Sequence, residues 1–585
     1  MKQPTNYDKL PTIPVSGDSS LCHCGWPTMA SVVRGCIPEG KRAVVVAECY
    51  PGVDLDEVRS GLDELADIAI CAENALKSPE ELAALLAPFL GDDPVFGKMV
   101  DPDLAAMGKM FDTAKTAQLR REIADARGHV LIYGTGAAYI AERWELLLYC
   151  DVTRWEIQQR QRRHKTANIG AQNASSSAAE LYKRAYFFDW RVADAEKHCL
   201  HRAIDFYLDT NLAQSPKTIS GTDYREALAQ ATRRPFRVVP FFDPGLWGGE
   251  WMRKHFDLPG DAPNFAWCFD CVPEENSLRF GFGNLVIETP ALSLVHEHAE
   301  ELLGSAIVKQ LGAEFPIRFD LLDTVEGGNL SLQVHPMRTY IAEHFGMPYT
   351  QDESYYLLDA EPDAEVYLGL KPGTNPEEMI ESLEAAQAGG PPFPAEKYVN
   401  AWPVKKHDHV SIPAGTIHCS GKNSMVLEIS ATPYIFTFKL WDWARLGMNG
   451  LPRPIHLKHG LANLQWNRDR EWVEKNLINQ VCEVGRGEGW CEETTGLHGL
   501  EFIETRRHWF TAPVLHDTRG TLNVLNLVEG DEAVVESPEK TFEPFIVHYA
   551  ETFIVPACVG RYLISPTKKA VKPLGTIKAF VRSKA

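Results

Sequence analysis

Two textures of hydrophobic patterning divide this chain. In the first 215 residues, short apolar runs alternate with helical patterns. Residues 42–47 form a β-branched run that stops at the turn signal Glu48-Cys-Tyr-Pro-Gly52. Asp54 then stands in an N-cap position before Leu55, Val58, Leu62 and Leu65, which share one helical face. The strand pattern returns at 129–133, leading into Gly134-Thr-Gly136, and again at 145–150, leading to Asp151 and a basic helix over 154–165. Strands alternating with helices predict an α/β unit with a parallel sheet covered on both faces.

From about Pro235 the pattern changes to short β-type runs separated by Gly, Pro, Asn and Asp. They fall at 236–239, 330–334, 355–358, 365–368, 409–412, 425–429 and 434–440. Such spacing predicts an antiparallel sandwich or barrel. Helical stretches interrupt it near 293–303, 376–388 and 469–480, and β-type runs resume at 522–525, 532–535, 552–555 and 561–564. The expected layout is an α/β domain over 1–215, a β-rich domain with helical insertions over 216–450, a helical connector over 451–500 and a second, smaller β domain over 501–585.

Composition narrows the class. A chain of 585 residues suggests two to four domains at about 150 residues each. With 44% hydrophobic and 24% charged residues it reads as globular. No apolar run approaches the roughly 18 residues that span a bilayer. The start, Met1-Lys-Gln-Pro-Thr-Asn-Tyr-Asp8, lacks the basic-then-apolar pattern of a secretory leader. A formal charge of −20 argues against a nucleic-acid partner, which needs a basic footprint. Thirteen scattered cysteines predict reduced thiols and a cytoplasmic setting. Cys268-Phe-Asp-Cys271 and Cys22-His-Cys24 each lack the further ligands that a four-coordinate zinc needs.

The strongest candidate chemistry lies in the β-rich domain. In Leu332-Gln-Val-His335, residues two apart share a strand face, so Gln333 and His335 are expected to look into one cavity. Glu353 heads another strand, and His418 follows a Pro-Ala-Gly turn between strands. Two imidazoles, a carboxylate and an amide oxygen form an N/O set that suits zinc and other late divalent ions. Cys419, a softer ligand, faces the other way on a strand. The plain alternative for each residue is a packed or surface side chain.

These residues sit in stretches that resemble the type I mannose-6-phosphate isomerase family: 319–336, ending Leu-Gln-Val-His-Pro; Glu353-Ser-Tyr-Tyr-Leu-Leu-Asp-Ala360; Val366-Tyr-Leu-Gly-Leu-Lys371; Ile412-Pro-Ala-Gly-Thr-Ile-His418; and Val426-Leu-Glu-Ile429. Upstream, Pro240-Phe-Phe-Asp-Pro-Gly-Leu-Trp-Gly-Gly249 is similar to that family's opening, and Thr552-Phe-Ile-Val-Pro-Ala-Cys558 to its second cupin. The resemblance covers about residues 235–570. It implies a double cupin, one zinc held by Gln333, His335, Glu353 and His418, and interconversion of mannose 6-phosphate with fructose 6-phosphate.

Aldose–ketose isomerisation needs a proton shuttle and a grip on the phosphate. Glu428 matches a family site acid and is the candidate acid/base. Ser331 precedes Gln333 by two residues and is a candidate phosphate contact. Lys439 stands where bacterial members of the family carry a catalytic Arg, so a point charge replaces a planar fork. Two further departures are Gln351, where the family tends to have Lys, and Met337, where it usually has Asp. An isomerase is the leading reading; a metal-cupin sensor of sugar phosphates, signalling through the N-terminal domain, is the alternative.

The N-terminal domain resembles a nucleoside- or monophosphate-kinase fold over about residues 35–210, without its phosphate loop. The turn after 42–47 has neither the second Gly nor the Lys of a Walker loop. Tyr139 occupies the third small position after Gly134-Thr-Gly136. Arg160, Arg162, Arg163 and His164 offer either a phosphate grip or a solvated charged face. A nucleotide or sugar phosphate is the expected ligand of this domain.

Overall fold

The computed structural model describes residues 6–16, 22–37, 40–447, 453, 455–496, 499, 501–568 and 572–582, so the leader reading of residues 1–5 lies outside them. The chain forms two compact units. One comprises Thr12–Ala231 with Glu275–Glu297; the other comprises the residues up to Pro11, Thr232–Glu274 and the chain from His298 onward.

The first unit is built on a seven-stranded sheet. Val44–Cys49, Ile68–Cys71, Val130–Gly134, Leu146–Asp151 and Phe206–Asp209 run parallel, and Lys217–Ser220 and His23–Cys24 extend the sheet antiparallel. Numbered along the chain, the parallel strands lie in the order 2-3-1-4-5. The Val44–Cys49 and Leu146–Asp151 strands are buried along their whole length, as the interior of a parallel sheet requires. The Asp54 carboxylate accepts from Glu57 N and starts the helix Leu55–Leu62, and Leu65 falls in a tighter turn beyond it.

Internal groups occupy the two places where the sequence offers a phosphate grip. The buried Glu48 carboxylate accepts from Gly136 N at 2.7 Å and from Ala138 N at 2.8 Å. Gly136 has φ 80°, and a Cβ there would meet the Phe111 ring at 2.4 Å, so the glycine serves backbone geometry. In the basic helix Arg154–Arg162, Arg154 pairs with Asp194 at 2.6 Å. Arg160 reaches Gly52 O at 2.8 Å and Glu156 Oε1 at 3.0 Å, and Arg163 shares the same Glu156 oxygen at 2.9 Å. Arg154 and Arg160 are thus tied inside the unit, while Arg163 stays exposed beside Glu156.

The second unit holds two β assemblies. The first is a pair of antiparallel sheets. Six strands lie in the order His409–Ile412, Asp352–Ala360, Ser424–Ala431, Arg318–Asp323, Trp267–Cys271, Phe241–Asp243. Five lie in the order Val399–Pro403, Glu365–Leu370, His418–Ser420, Leu332–Val334, Phe438–Trp441. The expected strand at 236–239 is reduced to a bridge between Phe236 and Ile554, because Pro235 and Pro240 bound the run and withhold their amides from any ladder. Helix Pro376–Gln387 is capped by Asn375, and helix Arg470–Asn476 by Asp469.

The expectation of a helical connector over 451–500 is corrected in its second half. Helices Leu457–Asn463 and Arg470–Asn476 are followed by a hairpin, Cys482–Gly487 with Trp490–Thr494. That hairpin pairs with Ile503–Phe510 and so extends a six-stranded C-terminal sheet. The hairpin is mostly polar and half-exposed, so it shows none of the apolar alternation that marks a strand. Facing this sheet, four strands complete the second assembly around a core that includes Phe510, Leu525, Phe553 and Tyr562.

Candidate metal centre

The two sheets of the first assembly each contribute to one cluster. Gln333 on Leu332–Val334 is directly opposite His418, and His335 follows the end of the same strand. Glu353 comes from the facing sheet, at the head of Asp352–Ala360. One donor atom from each of His335, Glu353 and His418 lies within 4.8 Å of the others, and all three residues are buried. Among the described residues this is the only such group of three or more His, Cys, Asp or Glu.

The tautomers are set by the backbone. His335 Nδ1 donates to Phe436 O at 2.9 Å, and His418 Nδ1 donates to Thr416 O at 2.9 Å. Each ring therefore turns its Nε2 lone pair inward, the arrangement typical of metal-ligating histidines. His335 Nε2 lies 3.0 Å from Glu353 Oε2, and His418 Nε2 lies 2.8 Å from Glu353 Oε1. Despite these distances, His335 Nε2 and Glu353 Oε1 lack a partner with hydrogen-bond geometry. Lone pairs that crowd together without sharing a proton fit a cation at their meeting point. The Gln333 amide lies 3.2 Å from His418 Nε2, so its oxygen or nitrogen points at the same place.

Electrostatics follow from this crowding. Burial works to raise the Glu353 pKa, but the two imidazoles outweigh it and hold the carboxyl well below its usual range. Burial opposes a charge on His335, and Glu353 reverses that and raises its pKa. Gln351 Nε2 donates to Glu353 Oε2 at 3.0 Å, a neutral donor where the resemblance leads to a Lys.

The remaining candidates lie around the cluster with different partners. Glu428 pairs in register with Tyr355 on one side and Asp320 on the other. Burial, followed by the charges of Glu353 and Asp320, pushes its carboxyl well above the usual range. Lys439 is opposite Gln333, and a bulge at Leu440 intervenes before Trp441 meets Leu332. Burial, helped by the positive charge of Arg453, lowers its ammonium to about 8. Ser331 lies outside the strand, and its hydroxyl donates to Asp442 Oδ1 at 2.7 Å.

Pattern reading missed the group that surrounds Ser331. Asp442 accepts from Arg445 at 2.6 Å and pairs with Arg453 at 3.1 Å, which leaves Lys439, Arg445 and Arg453 as three cations around one carboxylate. Arg445 is near enough to Lys439 along the chain to have been flagged; Arg453, fourteen residues on, carries no such signal.

Comparison with known proteins divides the chain in a similar way. Residues 25–233 match a family described as a domain of unknown function, DUF8485. Mannose-6-phosphate isomerase ManA of Bacillus subtilis strain 168 is 27% identical over 240 residues, which is 40% of this chain and 69% of that protein. Mannose-6-phosphate isomerase of Streptococcus mutans is 28% identical over 218 residues, 37% of this chain and 63% of that protein. The chain thus spans about two thirds of the length of these relatives. The crystal structure of the mannose 6-phosphate isomerase from Bacillus subtilis is similar over 59% of this chain and 99% of its own, with a TM-score of 0.48 and 19% identity. A variant of phosphomannose isomerase from Salmonella typhimurium is similar over the same 59%, with a TM-score of 0.46 and 13% identity. Over about 40% of its length, this chain is homologous to proteins named mannose-6-phosphate isomerases.

Proposed function

We propose that this chain is a zinc-dependent aldose–ketose isomerase that interconverts mannose 6-phosphate and fructose 6-phosphate. The observation that carries the reading is the convergence of His335 Nε2, His418 Nε2 and the Glu353 carboxylate, with both Nδ1 atoms already committed to backbone carbonyls. The printed names of the homologous relatives supply the substrate.

Gln333, His335, Glu353 and His418 would hold the ion. The donor set fits it: two neutral imidazoles, one anion and one amide oxygen, with no thiolate. Bound there, a divalent zinc supplies Lewis-acid polarisation of sugar oxygens and lowers the barrier to removing a carbon-bound proton.

The chain's own residues do the rest. The cationic group of Lys439, Arg445 and Arg453 binds and orients the phosphate, providing attraction remote from C1 and C2. Ser331 positions Asp442, and Asp442 in turn positions the two arginines, so the hydroxyl acts through them. Glu428, at the edge of the cluster and partly exposed, holds the mobile proton on its carboxyl between removal from one carbon and delivery to the next. The buried walls around His335 and His418 exclude bulk water and strengthen each of these interactions.

For the N-terminal unit, the strand order 2-3-1-4-5 supports a kinase-like layout that lacks its phosphate loop, and a regulatory role.

A coupled assay of the purified chain with mannose 6-phosphate tests the isomerase reading. Turnover that EDTA abolishes and zinc restores is the expected result; absence of chelator-sensitive turnover refutes it.

A further inference from the structure

The C-terminal β assembly is apolar at one end of its interior and charged at the other. Along Ile503–Phe510 the positions sharing a face with Phe510 are His508, Arg506 and Glu504. Along Leu574–Val581 the positions sharing a face with Leu574 are Thr576 and Lys578. Phe510 is paired with Leu574, and Arg506 with Lys578, so the same two strands carry both the core and the charged end. A cavity of about 260 Å³ opens at the charged end, lined by Arg506, His508, His516, Arg519, Arg561 and Lys578, with the carboxylates of Glu492 and Asp517.

The polar groups of this cavity are unevenly satisfied. Glu492 pairs with His508 Nε2 at 3.3 Å and with Arg506 at 3.7 Å, and Asp517 Oδ1 accepts from Arg519 N at 2.7 Å. The carboxylates are therefore engaged. Lys578 is only 8% exposed, and among the described residues no oxygen accepts from its ammonium; its neighbour is the Phe580 ring, 5.5 Å away. His516 is 4% exposed and stacked on Tyr562 with centroids 5.0 Å apart, yet its Nε2 has no partner among the described residues. The His508 Nδ1 is in the same condition. Burial, with His508 and Lys578 nearby, keeps His516 uncharged by holding its pKa far below the ordinary range.

A buried ammonium that feels Glu492 and Glu504 without forming an ion pair with either among the described residues is an unfavourable way to fill a barrel, and a hydrocarbon side chain would stabilise the same space. The arrangement becomes favourable when an anion enters. Four cationic side chains line the cavity with two engaged carboxylates, in a chain whose net charge is −20; two of the four have a further partner outside the lining, Arg506 with Glu504 and Arg561 with Glu539 at 3.4 Å. Arginine forks, an ammonium and imidazole N–H groups approach from different strands, which matches a tetrahedral multiply charged oxyanion better than a planar one. The volume lies just below the range of about 300–1,000 Å³ usual for ligand pockets, so it suits a small ligand and not a nucleotide. The two carboxylates and the two imidazoles, whose ring centroids are 4.5 Å apart, do not group as a cation site: the only metal-type grouping among the described residues is the one around His335.

We propose that the charged mouth of the C-terminal β assembly is a second ligand site, which binds the phosphate group of a small phosphorylated metabolite through Lys578, Arg506, Arg561 and the imidazole of His516. The site shares no residue with the candidate metal centre, and its occupancy does not depend on the isomerase reading.

The test uses the intact wild-type chain in phosphate-free buffer. A lysine-acylating reagent is applied at increasing concentrations of inorganic phosphate or of fructose 6-phosphate, and modification of Lys578 is followed by mass spectrometry against the exposed Lys540. Saturable protection of Lys578, with Lys540 unaffected, is the expected result. Protection by both ligands marks free phosphate as sufficient; protection by the ester alone marks the sugar as part of the recognised ligand. Equal modification of Lys578 across both titrations overturns the proposal. Independently, Lys578→Gln should weaken phosphate binding measured by calorimetry by about tenfold or more, the worth of a charge-assisted contact, while leaving bound zinc unchanged. Unchanged affinity in a folded Lys578→Gln variant would also overturn it.

Discussion

The Glu353 carboxylate spans two imidazoles, with Oε2 3.0 Å from His335 Nε2 and Oε1 2.8 Å from His418 Nε2. One acid from one sheet thus closes a set whose other members come from the facing sheet. If that set holds zinc, His335→Ala should leave the chain folded but unable to retain the ion. The two sheets around the cluster are held by their own apolar residues, including Phe319, Leu321 and Leu427 of one and Leu332, Val334 and Leu368 of the other. Elemental analysis should find about one zinc per wild-type chain and a trace in the variant. Added zinc should raise the melting midpoint of the wild type only; at a thousandfold excess over Kd the stabilisation is about 4 kcal/mol.

Gln351 should tune that affinity through the carboxylate it supports. Its amide donates to Glu353 Oε2 at 3.0 Å. Loss of such a supporting donor typically weakens a metal site by about 10- to 100-fold. Gln351→Ala should therefore lose zinc to a competing chelator at lower chelator concentration than wild type, with zinc stoichiometry unchanged in its absence. Superimposable competition curves would remove Gln351 from the site.

Lys439 should give the activity an alkaline limit. Its pKa is lowered to about 8 by burial and by neighbouring Arg453. A cation is needed to hold the phosphate, so the protonated form is the active one. The active fraction is complete well below pH 8 and is lost as pH rises through that value. In Lys439→Arg the charge persists, because guanidinium does not titrate in this range, and the alkaline limb should move up by more than one pH unit. Identical limbs in kcat/KM profiles of the two proteins would make Lys439 a bystander.

Lys578 should lower stability when the cavity is empty. Burial lowers its folded pKa to about 8 from 10.5 in the unfolded chain. Between those values the unfolded state binds the extra proton, so stability rises with pH across the window, and the full penalty is present below pH 8. The shift corresponds to about 3 kcal/mol at most. Lys578→Met should raise the melting midpoint of the C-terminal assembly by several degrees at pH 7 in phosphate-free buffer, and the gain should shrink at pH 10. A lower midpoint in the variant would mean that the ammonium is satisfied in solution.

Much of the fold could be read from periodicity because burial imposes it. The fully buried strands Val44–Cys49 and Leu146–Asp151 are apolar throughout, and Asp54, Asn375 and Asp469 mark helix starts through their side-chain oxygens. The hairpin Cys482–Thr494 was missed because it is polar on both faces and paired at the edge of a sheet.

At the proposed centre, the sequence by itself offered the candidate residues. A Gln and a His two apart in an apolar run, an acid heading a strand and a His after a Pro-Ala-Gly turn are local patterns, and local patterns survive without coordinates. Tertiary structure alone decided which atoms turn inward, since the carbonyls of Phe436 and Thr416 that fix the two rings carry no side-chain signature. It also decided that Ser331 would bind Asp442, because a bulge at Leu440 breaks the alternation that strand periodicity assumes. The charge in the C-terminal cavity was hidden for the same reason. Arg506 and Lys578 are 72 residues apart and become neighbours only through the register of two strands.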